Sequence, residues 1–422
     1  MTASASRRRL ALGLLGLVAV GFALRAVLLS AQPLTDDDRL VAATAQFFTQ
    51  FGWPEPTMWN HPRLRDLLVA ASLDALGPTA WGIKASSVLL GTLSVAATAL
   101  LLYWLSGSAA AAGIAGLLLA IDPLHLDFSR QGINDVYLAF FPVAAIAAAW
   151  RYRSTRHPPW LLLAGALLGL GLASKWGAAF PMSVAALAVA ADAVRREVPW
   201  RERATEAAFV VACLIVLPLT LYLLTYLPWF GRGYSLLDWL RFQGAMGHET
   251  ATHTGYGTPR PAGFPGEVVG AWRWFVQIVY YVDVVPSAGP GAAITGVGNP
   301  LAWLLVWPAF GFTLVRAVKH ADRASWVLLA LFAASYLPFL VVPRPIWTNS
   351  ALSVLPFAML LVGHAAAHLW ARWPRWVAGT LALTVASAAA FWLPAMGLQP
   401  RVTEAFVHAL VPQAAFEQRL SR

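Results

Sequence analysis

Three consecutive carboxylates, Asp36, Asp37 and Asp38, follow directly on the first long apolar segment of the chain. Adjacent negative charges repel, so they need water, a cation or the positive end of a helix to hold them. The plainest use for such a cluster is a helix cap in a solvated loop. The other use is chemical. One carboxylate can act as general base, taking the proton of a hydroxyl as its oxygen attacks an electrophilic carbon. A place beside a membrane face suits that role if the electrophile is anchored in lipid.

Three further groups could join it. Ser129-Arg130 and Asp135 lie in DPLHLDFSRQGINDVYLAFF, between two apolar segments. An arginine at that depth is costly unless paired or facing water. It either holds a helical hairpin through Asp127 or Asp135, or binds phosphate and orients a carboxylate. Lys175-Trp176 sits in GLGLASKWGAAFP, where two apolar segments meet almost without a loop. A snorkelling lysine explains it, and so does a cation placed to hold a lipid-linked phosphate. The third group is HETATHTG, with His248, Glu249 and His253. Its histidines are five apart rather than the four that would put both on one helix face for zinc. Hydrogen bonding to a polar substrate suits this cluster better than a metal.

The elements that must position these residues belong to a membrane. Hydrophobic residues make up 59% and charged residues 12% of the 422. A water-soluble domain cannot hide that much apolar surface. About eleven segments (10–30, 82–105, 109–124, 132–150, 160–173, 174–192, 205–229, 299–318, 324–342, 350–370 and 376–395) are apolar enough for bilayer-crossing helices. With Arg7–Arg9 placed in the cytoplasm, the connectors RYRSTRHPP, RREVPWRER, RAVKHADR and ARWPR all fall on the cytoplasmic side. That is the positive-inside pattern, and it accounts for the net charge of +10 without nucleic acid. The N-terminal segment is read as a retained span rather than a cleaved signal. Cys213, the single cysteine, lies inside an apolar run and offers neither disulfide nor metal site.

The reading is all-α and polytopic: one integral-membrane domain over 1–422, with a tail over 396–422. Its outside loops, about 31–81 and 230–299, are too long to be mere connectors and are expected to carry function and interfacial helices. Residues 40–51 have amphipathic helical spacing, with Asp36–Asp38 at the cap. Trp272, Trp274, Tyr280 and Tyr281 are expected in an interfacial aromatic belt.

In order and sidedness these motifs resemble the protein O-mannosyltransferases, membrane enzymes of the GT-C superfamily that use polyprenyl-phosphate sugars. Asp37-Asp38 stands for the family's Asp-Glu pair and His61-Pro62 for its His-Pro-Pro. Ser129-Arg130 with Asp135, Lys175-Trp176, and Glu249 with His253-Thr254-Gly255 match the later motifs. The likeness runs from the first span to about residue 370. It implies a GT-C-like fold and Asp37 as catalytic base with Asp38 its neighbour. It further implies His61, Arg130, Asp135, Lys175, Glu249 and His253 at the substrates, and inverting displacement of a lipid phosphate on the outer face of the plasma membrane. No protein metal ligand is implied, and assistance by a divalent cation is left open.

The chain departs from the pattern at Asp38, at Leu40 and Val41 where paired tyrosines are usual, and after His61-Pro62. The partners implied are a polyprenyl-phosphate-linked sugar, membrane lipids, and an acceptor that is a protein, a glycan or a lipid. A transporter and a non-catalytic binder of lipid-linked sugar are the readings from other classes.

Overall fold

The computed structural model describes residues 3–32, 34–53, 60–252, 271, 274–276, 279–284, 293–341 and 348–396. Helix dominates, because a segment in hydrocarbon must satisfy its own backbone donors and acceptors. The chain opens with α1 (Ala3–Ala26), then α2 (Asp36–Phe51) and α3 (Leu64–Leu76) in the first loop. A run of long helices follows: α4 (Ala80–Ser106), α5 (Ala109–Ile121), α6 (Pro123–Ser129), α7 (Asp135–Thr155), α8 (Pro158–Ser174) and α9 (Ala179–Arg195). Helices α10 (Trp200–Val211) and α11 (Leu217–Leu224) are joined through a π-helical turn at Ala212–Val216.

The second loop carries α12 (Leu227–Gly231), α13 (Leu236–Thr252) and an antiparallel hairpin of β1 (Val279–Val284) and β2 (Ala293–Val297). The hairpin is a small addition to the all-α expectation. The chain continues with α14 (Pro300–Leu304), α15 (Val306–Lys319), α16 (Arg323–Val341), α17 (Leu355–Trp370) and α18 (Pro374–Met396).

The described residues of the apolar segments read from the sequence fall mostly on helix. Seven described helical stretches are long and apolar enough to cross a bilayer, and the α5–α6 pair would make an eighth. That pair is bent by 61°, so the expected span over 109–124 ends in a bend near its last residues. The bend has a local cause. Asp122 caps α6 by accepting from the His125 N–H, and Pro123 follows it at the first helical position.

The centre of the molecule is α4, α5, α7, α8 and α17, with α1, α9, α11 and α15 packed around them. Small residues allow the closest approaches. A side chain on Gly165 of α8 would collide with the Cys213 carbonyl, and one on Gly169 would meet the Pro218 backbone. Without a strong hydrophobic drive between helices in lipid, such close backbone packing is a main source of cohesion. Cys213 is buried there as a small apolar residue.

One aromatic expectation fails. Trp274 is wholly buried, ringed by Tyr336 and Phe339, so it belongs to the core and not to an interfacial belt. Trp272 lies outside the described residues.

Candidate active site

The acidic triplet divides into residues with different surroundings. Thr35 is the N-cap of α2: its side chain accepts from the Asp38 N–H, and the Asp38 carboxylate accepts in return from the Thr35 N–H at 3.0 Å. This reciprocal box consumes two of the orphan donors at the helix start. The second Asp38 oxygen accepts from the Gly132 N–H at 2.7 Å, in the α6–α7 turn. Lys84 Nζ lies 3.2 Å from Asp38 Oδ2, and both side chains are fully buried. Asp38 therefore fastens α2 to α4 and to the α6–α7 turn. Asp37, one position earlier, is exposed at the helix N-terminus. There the helix dipole favours a negative charge. Of these two, only Asp37 is exposed.

Asp135 begins α7. Its Oδ1 takes a 2.7 Å ion pair from Lys175 Nζ, and its Oδ2 accepts from Asn349 Nδ2 at 3.1 Å. Lys175 is 20% exposed and Asp135 only 3%, so the lysine is the member of the pair that faces open space. Asn134 supports the same junction by donating to the Ser174 carbonyl. The next residue, Trp176, donates from Nε1 to the Tyr222 hydroxyl, which donates onward to Gln243 of α13.

Asp135, Lys175 and Trp176 line a cavity of about 370 Å³, together with His61 and with Gly247 and Thr250 of α13. Thr250 donates to the Asn60 carbonyl, which ties α13 to the segment bearing His61. His61 in turn presents its carbonyl to Arg63. Glu249 is half-buried on α13 beside Thr250. His253 lies outside the described residues.

Arg130 stands elsewhere. It is fully buried, and its guanidinium donates to the carbonyls of Leu24, Arg25 and Val27 at the end of α1 and to Gln32. A cation there answers the negative end of that helix. Asp135 is paired to Lys175 rather than to Arg130, whereas Asp127, which accepts from Gln131, also attracts the Arg130 charge.

The structure thus gathers His61, Asp135 and Lys175 on one cavity, brings Glu249 to the helix along its edge, and sets Asp37 and Asp38 on an element pinned to the neighbouring α6–α7 turn. Lys84 and Asn349 were not anticipated. A lysine at the start of an otherwise apolar helix was the signal for the first. Nothing in TNSALS marked the second.

The arginine-rich turns lie far from this cavity. Asp135 and Arg153 are at opposite ends of α7, about 27 Å apart along its axis. Arg323 and Pro338 are similarly separated on α16.

Comparison with known proteins adds a likeness. The model of the dolichyl-phosphate-mannose-protein mannosyltransferase family matches residues 66–231, which include Asp135 and Lys175. The chain is thus similar to the protein O-mannosyltransferases. A polyprenol-phosphate-mannose–protein mannosyltransferase of Mycobacterium tuberculosis is 28% identical over 363 residues, covering 71% of this chain and 68% of that one. Its counterpart in Corynebacterium glutamicum is 24% identical, covering 74% and 71%.

Among solved structures, the S. cerevisiae Pmt1-Pmt2 protein O-mannosyltransferase complex bound to its sugar donor aligns with a TM-score of 0.73 at 12% identity, over 92% of this chain and 90% of that one. ArnT from Cupriavidus metallidurans, bound to undecaprenyl phosphate, aligns at 0.60 and 17% identity, over 94% and 72%. At such identities the likeness is one of fold. The chain is a multi-pass membrane protein of the GT-C fold, as the motifs of this family implied.

Proposed function

We propose that this chain is a glycosyltransferase that moves a mannosyl group from a polyprenyl-phosphate carrier to a hydroxyl of a protein serine or threonine. The observation that carries this is the Asp135–Lys175 pair on the rim of a cavity, within the segment that matches the mannosyltransferase family model. In the reaction the acceptor oxygen attacks the anomeric carbon, the bond from that carbon to the carrier phosphate breaks, and the phosphate leaves with the electron pair. Lys175 stabilises the charge that grows on the departing phosphate. Asp37 takes the acceptor proton. Asp135 is a weaker choice of base, because Lys175 and Asn349 already occupy both of its oxygens.

The cavity opens on the outer face of the plasma membrane in this reading, with the N-terminus in the cytoplasm and the C-terminus outside. Support comes from the arginine-rich turns, which cluster at the far ends of the helices and belong on the cytoplasmic side. His61, Glu249 and His253 are assigned to the sugar and the acceptor. Arg130 is assigned to holding the α1 end of the site rather than to the phosphate itself.

The test is direct. Purified protein is supplied with polyprenyl-phosphate mannose labelled in the sugar and with a peptide rich in serine and threonine. Label on the peptide is expected. Label appearing only on a glycan or lipid acceptor would move the acceptor class, and movement of an unmodified solute across reconstituted vesicles would replace the enzyme reading with transport.

A further inference from the structure

At the end of the helices remote from the cavity, three metal-ligating side chains converge. Asp322 lies in the turn between α15 and α16, and His364 and His368 lie on α17. One ligand atom from each falls within 4.8 Å of the other two. A spacing of four residues sets both imidazoles on one helix face, with ring centroids 4.4 Å apart. Among the described residues this is the one such grouping of three. It uses none of the residues assigned to transfer. Along α16 its position is about 24 Å from Pro338, which lines the cavity.

The hydrogen bonding of the cluster is incomplete in an informative way. His368 Nδ1 can only donate to the His364 carbonyl, at 2.9 Å, which leaves the lone pair on its Nε2. A ring nitrogen fixed by a backbone carbonyl is the usual second partner of a metal-binding histidine. His364 is 1% exposed, and its Nδ1 has no hydrogen-bond partner. Its Nε2 lies 3.1 Å from Ser325 Oγ and 3.6 Å from Asp322 Oδ2. The single Ser325 hydroxyl hydrogen is directed to Asp322 at 2.8 Å. With the ring hydrogen on Nδ1, the Nε2 lone pair that faces Asp322 and Ser325 receives no donor and is left to a cation.

Arg316 opposes a cation here, since its Nε lies 3.3 Å from Asp322 Oδ2. Its side chain is 27% exposed and makes that contact through one nitrogen, so it has room to turn toward water. Donors on a tetrahedral zinc ion stand about 3.4 Å apart, a contraction that modest side-chain rotations supply.

We propose that Asp322, His364 and His368 bind one divalent transition-metal ion of the zinc type, which clamps the α15–α16 turn to α17. Two imidazoles and one carboxylate suit zinc, whereas magnesium and calcium require an oxygen shell. Ser325 or water completes the fourth position.

The test uses the full chain in detergent, with zinc ion alone titrated by calorimetry and cobalt ion as a spectroscopic probe of tetrahedral nitrogen and oxygen ligands. One zinc per chain is expected, with a raised thermal unfolding midpoint. His364→Gln and His368→Gln should each weaken binding at least tenfold and abolish the midpoint shift, while His248→Gln at the outer loop leaves both intact. His368 is only half-buried, so its variant tests the site even if His364→Gln folds poorly. No stoichiometric zinc, or binding that persists undiminished in His368→Gln, would overturn the proposal.

Discussion

Lys175 Nζ stands 2.7 Å from Asp135 Oδ1, joining the short turn between α8 and α9 to the first residue of α7 at the edge of the cavity. The carboxylate is buried and the ammonium is not. Such an asymmetric pair fixes a cation in place while leaving part of its surface to a ligand. A lysine free to snorkel would wander, and one fully buried would be spent on structure alone.

If Lys175 holds the carrier phosphate, Lys175→Met should lower kcat/KM for the lipid-linked donor by at least tenfold, in line with the loss of one charge-stabilising donor. Removing the lysine also strands Asp135, so part of the effect will be on folding. The double variant Lys175→Met with Asp135→Asn should recover thermal stability without recovering donor use. Donor kinetics that recover alongside stability would show that the lysine serves structure only.

The Asp38–Lys84 pair predicts a different outcome. Both side chains are wholly buried, so Lys84→Met leaves an uncompensated carboxylate and should cost about 3–5 kcal/mol. Denaturation of the purified protein followed by tryptophan fluorescence reads this directly. Asp38→Asn should destabilise as well, because it strands Lys84 and weakens the cap of α2. A stable Asp38→Asn protein that has lost only activity would move Asp38 from structure to chemistry.

Arg130 should behave as a clamp. Arg130→Met removes the donors to the α1 carbonyls, and stability should fall by on the order of 3 kcal/mol with the donor KM unchanged among folded molecules. A raised donor KM at unchanged stability would instead put the guanidinium on the phosphate.

Much of this architecture was readable from the chain itself. Apolar segments of bilayer length separated by arginine-rich turns specify helices, because hydrocarbon admits few other backbones. The Lys175-Trp176 and Asp135 motifs were legible for a related reason: charge is so rare within such segments that each occurrence asks for a partner or a function. Which partner it finds was not legible. Arg130 had two aspartates near it in sequence, and Asp127 does attract it, yet its hydrogen bonds go to the α1 carbonyls, a choice made by the three-dimensional approach of α1 and α6. Trp274 shows the same limit, since an aromatic side chain suits an interface and a core equally well by composition. The cap at Thr35 was displaced by one residue from the triplet because the backbone turn, rather than the acidity, decides which residue leads the helix.

The central claim rests on Asp37, the exposed neighbour of a buried structural aspartate. Single-turnover transfer from labelled polyprenyl-phosphate mannose to peptide should be measured for wild-type protein and for Asp37→Asn, beside the thermal unfolding midpoint of each. The account predicts a loss of at least a hundredfold in transfer with the midpoint unchanged, since a general base contributes about that much. Transfer that survives undiminished in Asp37→Asn would contradict it.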